Sequence, residues 1–220
     1  SLASKTLKTA TFNQDPAYSD SFSPATNGTG NYTYQITKVE IGAEGSTTTV
    51  QAVNGLYNGL SLSGITMSGT PSKAGTHWFT IKATDTETQK TATAVMRIDV
   101  NPAVLTGTVN MTTTTTYGST LSITVTTDAK NLAYRWQFKP SGSSYVDISA
   151  TTASISMTSA VAGKAQVVGG KFQVIITDTS GNYSGNIVKE MASAVTVKTL
   201  GFGTLPTVAN KVYDGNTNAS

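Results

Sequence analysis

The sequence predicts an all-β chain built as tandem antiparallel β-sandwiches, and three observations carry that prediction. Residues 60–100 hold two runs of alternating side chains separated by polar turns, with Phe79, Ile81 and Ala83 on one face and Met96, Ile98 and Val100 on another. A strand with one buried face requires that period of two. Charged residues make up only 12% of the chain, against roughly 25% in ordinary globular proteins, while Ser and Thr fill roughly 60 positions. Threonine is β-branched and suits the wet face of a sheet. Long stretches of apolar residues at helical spacing are absent.

Taken in order, the first thirty residues are weakly patterned, and Asn27-Gly-Thr-Gly30 is a turn leading into a strand from Tyr32 to Val39. The strands around Phe79 and Met96 follow, and the second of them ends at Asn101-Pro102. Proline holds the residue before it in extended geometry, so 101–103 is the expected boundary between two units. In the second unit Leu121-Ser-Ile123-Thr-Val125, Tyr134-Arg-Trp136-Gln-Phe138, Ile155-Ser-Met157 and Phe172-Gln-Val174-Ile-Ile176 alternate, and Asp178-Thr-Ser-Gly-Asn182 is a turn. The expected division is residues 1–102, residues 103–200 and a terminal segment 201–220.

Gly59-Leu60-Ser61-Leu62, Ser68-Gly69-Thr70-Pro71, Ala74-Gly75-Thr76 and Ala83-Thr84-Asp85 occur in that order before the strand Met96 to Val100. This series resembles the cadherin-like Ig modules of bacterial surface proteins. The second unit, through "NLAYRWQ" and "GKFQVIITDTSGNYSG", resembles bacterial Ig-like domains, with no cysteine pair, so that Trp136 would pack against Ile123 and Ile176. Lys211-Val-Tyr213-Asp214-Gly215-Asn-Thr217 is similar to the opening of a YDG-type repeat module. The resemblances imply two tandem Ig-like sandwiches, a partial third module, neighbouring modules of the same polypeptide as partners, and an extracellular or cell-surface location.

Composition narrows the function classes. The net charge of +3 comes from fifteen basic residues spread from Lys5 to Lys211 without a basic run, whereas a nucleic-acid surface concentrates charge against adjacent phosphates. Nucleic acid is not an expected partner. With no cysteine, a disulfide framework, thiol catalysis and cysteine-ligated zinc are excluded, and secretion is not. No apolar run approaches the ~20 residues that cross a bilayer as a helix. The opening SLASKTLKTA lacks the apolar core of an export signal, so a signal is expected outside this excerpt.

Candidate chemistry is sparse. His77 is the only histidine, and without a G-x-S-x-G elbow it reads as a partly exposed strand residue. The twelve acids are scattered singly, which makes a glycosidase pair a poor fit. No catalytic residue and no resident cofactor are expected. Calcium takes six to eight oxygens, and Asp85, Glu87 and Asp99 are the candidate ligands by analogy with cadherin-like junctions. Trp78 and Tyr145 are candidates for a sugar-stacking platform, because a flat ring offers an apolar face with a polar tip. Trp78 has the opposite strand parity to Phe79 and points away from the core. A lysine-to-asparagine crosslink between Lys5 or Lys8 and Asn101 is conceivable from strand order. Sequons at Asn27, Asn31, Asn110, Asn182 and Asn218 are expected by chance in so hydroxyl-rich a chain.

These readings converge on a non-enzymatic structural or adhesive segment of a bacterial surface or secreted protein. The alternative is a module that binds an extracellular glycan, or one accessory to a polysaccharide-degrading enzyme. An extracellular protein is the other partner class considered.

Overall fold

The computed structural model describes residues 1–43, 56–158 and 167–199. Every regular element among them is a β-strand, so the fold class is all-β as the alternation predicts. The longest elements are β7 (Gly75–Asp85) and β8 (Thr91–Asn101), an antiparallel hairpin in register from Gly75 opposite Val100 to Thr84 opposite Thr91. β4 (Tyr32–Ile41) pairs with the other edge of β7, through a bulge between Ile36 and Lys38. Two short strands, β1 (Lys5–Thr6) and β2 (Ala10–Thr11), run parallel to β8. A second sheet orders β3 (Tyr18–Ser21), β6 (Thr66–Gly69) and β5 (Leu60–Ser63).

The alternation that predicted these strands also builds the core. Ile36, Val39, Leu60, Met67, Phe79, Ile81, Met96 and Ile98 are each 0% exposed within one cluster. Burying such a side chain contributes about 1.5–3 kcal/mol. The glycines of the family-like series have a steric role. Gly59 and Gly69 lie at φ +82° and +133°, and a Cβ on Gly59 would stand 1.7 Å from the Thr70 carbonyl oxygen. A Cβ on Gly69 would stand 2.0 Å from the carbonyl oxygen of Gly59. Two backbones touch where these residues cross, and only glycine permits it.

A separate cluster forms from Val109 to Val195. Its first sheet orders β10 (Thr108–Met111), β11 (Thr120–Thr126) and β14 (Ser154–Ser156). Its second orders β13 (Val146–Asp147), β12 (Leu132–Lys139), β15 (Lys171–Asp178) and β17 (Ile187–Glu190). Strands one, two and five of this unit thus share a layer, and three, four, six and seven share the other, which is the immunoglobulin-like partition. The first unit follows the same rule, with β1, β2, β4, β7 and β8 in one layer and β3, β5 and β6 in the other. Trp136 is 0% exposed, shares its cluster with Ile123 and Ile176, and donates its Nε1–H to the Thr152 carbonyl at 2.8 Å.

Three expectations change. The strand from Tyr32 runs to Ile41, two residues beyond Val39. The weakly patterned first thirty residues hold β1, β2 and β3, because strands of two to four residues are too short to display a period. His77 is 0% exposed. It sits two residues before Phe79 on β7, so the period of two places it on the core face. The YDG-like residues 211–217 and the sequon at Asn218 lie outside the described residues.

Candidate functional site

The site that the fold assembles lies where the two clusters meet, and it begins with a self-closed turn. In residues 178–182 the Asp178 carboxylate accepts hydrogen bonds from the Ser180 hydroxyl and, at 3.3 Å, from the Tyr183 amide. Ser180 Oγ in turn accepts from the Asn182 amide at 3.2 Å, and Gly181 supplies the positive φ of +77° that the turn needs. Burial disfavours the Asp178 charge, but the bonds from Ser180, Tyr183 and Asn182 outweigh it and hold this carboxyl below the ordinary 3.8.

Shaped in this way, the turn presents acceptors to the first unit. Lys73 Nζ donates to the Ser180 carbonyl at 3.1 Å, and the Ala74 amide donates to Asn182 Oδ1 at 3.0 Å. The backbone of Asn182 accepts from Ala103 N at 3.0 Å, and Leu105 N donates to the Ser184 carbonyl at 2.8 Å. Those bonds make β9 (Ala103–Val104) a parallel partner of β16 (Tyr183–Ser184). Phe12, just after β2, meets Tyr183 edge to face with centroids 5.2 Å apart, an arrangement worth about 0.5–1.5 kcal/mol beyond its buried area. An open cleft of about 500 Å³ beside the joint is bordered by Thr76, Asp99, Pro102 and Gly181.

The receiving turn is anchored from below by His77. Its Nε2 lies 3.0 Å from the Lys73 carbonyl oxygen. A carbonyl only accepts, so Nε2 carries the proton and Nδ1 keeps its lone pair. The ring stacks on Phe79 at 6.2 Å and meets the edge of Tyr57 at 6.4 Å. Burial, with the Lys73 ammonium adding to it, pushes the imidazole pKa below 6.5 against the opposing effect of the Lys73 carbonyl.

The residues singled out from sequence are placed apart. Asp85 closes the β7–β8 turn. Its Oδ2 accepts from Thr29 N at 2.7 Å, and its Oδ1 accepts from Thr88 N at 2.9 Å and Glu87 N at 3.1 Å. Glu87 accepts from Asn31 Nδ2 at 3.0 Å. Asp99 stands at the far end of the hairpin, opposite Thr76, about 30 Å from Asp85 at ~3.3 Å per strand residue. There it takes hydrogen bonds from Thr76 and from Arg97 Nε and Nη2. The calcium candidates therefore occupy two places. Among the described residues no group of three or more His, Cys, Asp or Glu side chains gathers as a metal-ligand set.

Trp78 faces outward, donates Nε1–H to the Gly42 carbonyl at 2.9 Å and carries the Arg97 guanidinium 5.2 Å above its ring. With Lys5, Thr6 and Val95 it lines a shallow groove of about 270 Å³. Tyr145 belongs to the second unit, where Lys139 Nζ lies 5.6 Å from its ring centre. Burial and the neighbouring Glu190 carboxylate push its hydroxyl above the ordinary 10. The two aromatics thus have separate surroundings, each with its own cation. Lys5 directs its ammonium to the Ser21 carbonyl at 2.6 Å.

What sequence reasoning missed is the joint itself. Asn182 stood out only as a sequon and as the end of a turn, and nothing local signals that its side chain meets a residue 108 positions earlier.

No family model matches the chain, and no curated protein matches it. Among solved structures it is similar to the N-terminal four Ig domains of Dscam1 isoform 9.44, at 9% identity and a TM-score of 0.44, over 89% of this chain and 43% of that one. It is also similar to the N-terminal eight Ig domains of the Down syndrome cell adhesion molecule isoform 1.30.30, at 12% identity and a TM-score of 0.42, over 89% of this chain and 25% of that one. The chain spans less than half the length of either. The fold assignment rests on the strand order and registers described above.

Proposed function

We propose that the chain is a non-catalytic structural segment of an extracellular protein, of the bacterial surface or secreted type, in which two Ig-like sandwiches divided at 101–103 are held in series by a bonded joint. The observation that carries this reading is the joint. A turn closed by its own side chains meets the other unit through Lys73 and Ala74, with the Phe12–Tyr183 ring pair beside it, and holds the connecting residue Ala103 against Asn182. A swivelling linker would leave these donors to water. The reading is further supported by the candidate site residues, since Trp78, Asp85, Glu87 and Asp99 bond to groups of the chain itself. The function is then geometric: the segment sets distance and direction for whatever it carries.

Spin labels test this directly, because a cysteine-free chain accepts a Thr93→Cys, Ser144→Cys pair without background. Both positions are exposed, one in each unit. At neutral pH a single narrow distance distribution is expected, and Asn182→Ala should broaden it. A distribution equally broad with and without that substitution would defeat the proposal.

A further inference from the structure

We propose that this joint is acid-labile, with His77 as its trigger: a proton taken up by the buried imidazole releases the turn 73–75 and loosens the grip on the hairpin tip 178–182. The inference rests on the rigid-joint reading and adds its regulation. Its basis is geometric. His77 is 0% exposed, and among the described residues its Nδ1 has no hydrogen-bond partner. Its Nε2–H holds the carbonyl of Lys73, and the same residue and the next one supply the donors to Ser180 and Asn182.

Among the described residues the ring has no acceptor ready for a second N–H. From the segment before β5 it meets Tyr57, and from the turn Lys73, whose ammonium repels an imidazolium. Its cross-strand neighbours are Ile41 on β4 and Ile98 on β8. The nearest acids on those strands, Glu40 and Asp99, are one register position off, on the opposite sheet face, and are paired with Lys38 and Arg97. A solvent proton arriving at Nδ1 therefore creates a buried cation with an unsatisfied donor, a costly state. Relief requires the ring to reach water. The turn lying over it is the movable element, and lifting that turn removes the Lys73 and Ala74 donors from the hairpin.

The sign follows from the depressed value. The contribution of neutral His77 is complete above about 6.5, the ordinary histidine pKa, and falls away as pH drops from there toward the lower folded value.

The test uses the Thr93→Cys, Ser144→Cys labels between about pH 7.5 and pH 5, together with the NMR titration of the ring, whose signal is unambiguous because the chain has one histidine. The expected result is a distribution that broadens to the width of the Asn182→Ala variant, with a midpoint matching the His77 titration, while His77→Gln keeps the neutral-pH width throughout. His77→Asn, which also keeps a neutral N–H donor and cannot titrate, serves if circular dichroism shows the glutamine variant unfolded. A width that stays constant while His77 titrates overturns the inference, as does broadening that persists in the variants. A width already broad at neutral pH defeats the rigid-joint reading instead.

Discussion

The amide of Ala74 donates to the side-chain oxygen of Asn182 at 3.0 Å across 108 residues of sequence. Truncating that oxygen in Asn182→Ala strands a part-buried amide, so the coupling between the two units should weaken by about 0.5–1.5 kcal/mol, the net value of one hydrogen bond. Chemical denaturation checks this: the unfolding of the two units should separate, while Asn182→Asp, which keeps the acceptor, should stay close to the parent.

Trp136→Ala should cost about 3–5 kcal/mol, the usual loss for removing a fully buried large aromatic. The loss should fall on the unit from 109 to 195 alone, because the two apolar clusters share no member. Trp78 is the chain's second tryptophan, so its fluorescence in this variant should report the first unit still folded after far-UV circular dichroism has registered loss of the second.

Gly69→Ala forces a Cβ to within 2.0 Å of the Gly59 carbonyl oxygen at φ +133°. Backbone strain and overpacking together should cost at least about 2 kcal/mol, measured as a lower urea midpoint at unchanged slope. Gly64→Ala is the control, with φ +56° and open space around its Cβ position, and it should show only the smaller backbone penalty.

Asp85 should govern acid sensitivity of the first unit. The amides of Thr88 and Thr29 and the Thr29 hydroxyl hold its carboxyl well below the ordinary 3.8. A depressed acid stabilises fully above its unfolded value, and the contribution is lost as pH falls through the folded value. Thermal unfolding from about pH 5 to pH 2 should therefore show a steep acid limb. Asp85→Asn should be less stable at neutral pH and show a shallower limb; parallel curves would contradict the assignment.

Much of the fold could be read in advance because its longest strands obey one rule without exception. From His77 to Asp85 every second residue of β7 is buried, so Phe79, Ile81 and the outward Trp78 followed from parity. The same rule, extended two residues back, would have buried His77; its polarity suggested exposure, whereas the Lys73 carbonyl and two aromatic rings accommodate it. Asp85 was a calcium candidate by analogy with cadherin-like junctions, and its oxygens are met by Thr29, Glu87 and Thr88. Thr29 lies 56 residues away, and no local pattern encodes such a meeting. The same is true of Lys73 with Ser180 and Phe12 with Tyr183. Local periodicity reports which face is buried, while contacts between units depend on where separate turns arrive in space.

The most direct measurement is of residual dipolar couplings, collected for the amides of both units in one weakly aligned sample at neutral pH. A joint held by Lys73, Ala74 and Asn182 predicts that one alignment tensor fits both units with equal magnitude. Tensors of clearly different magnitude for the two units would mean that they reorient independently, and the account of a bonded, direction-setting joint would be contradicted.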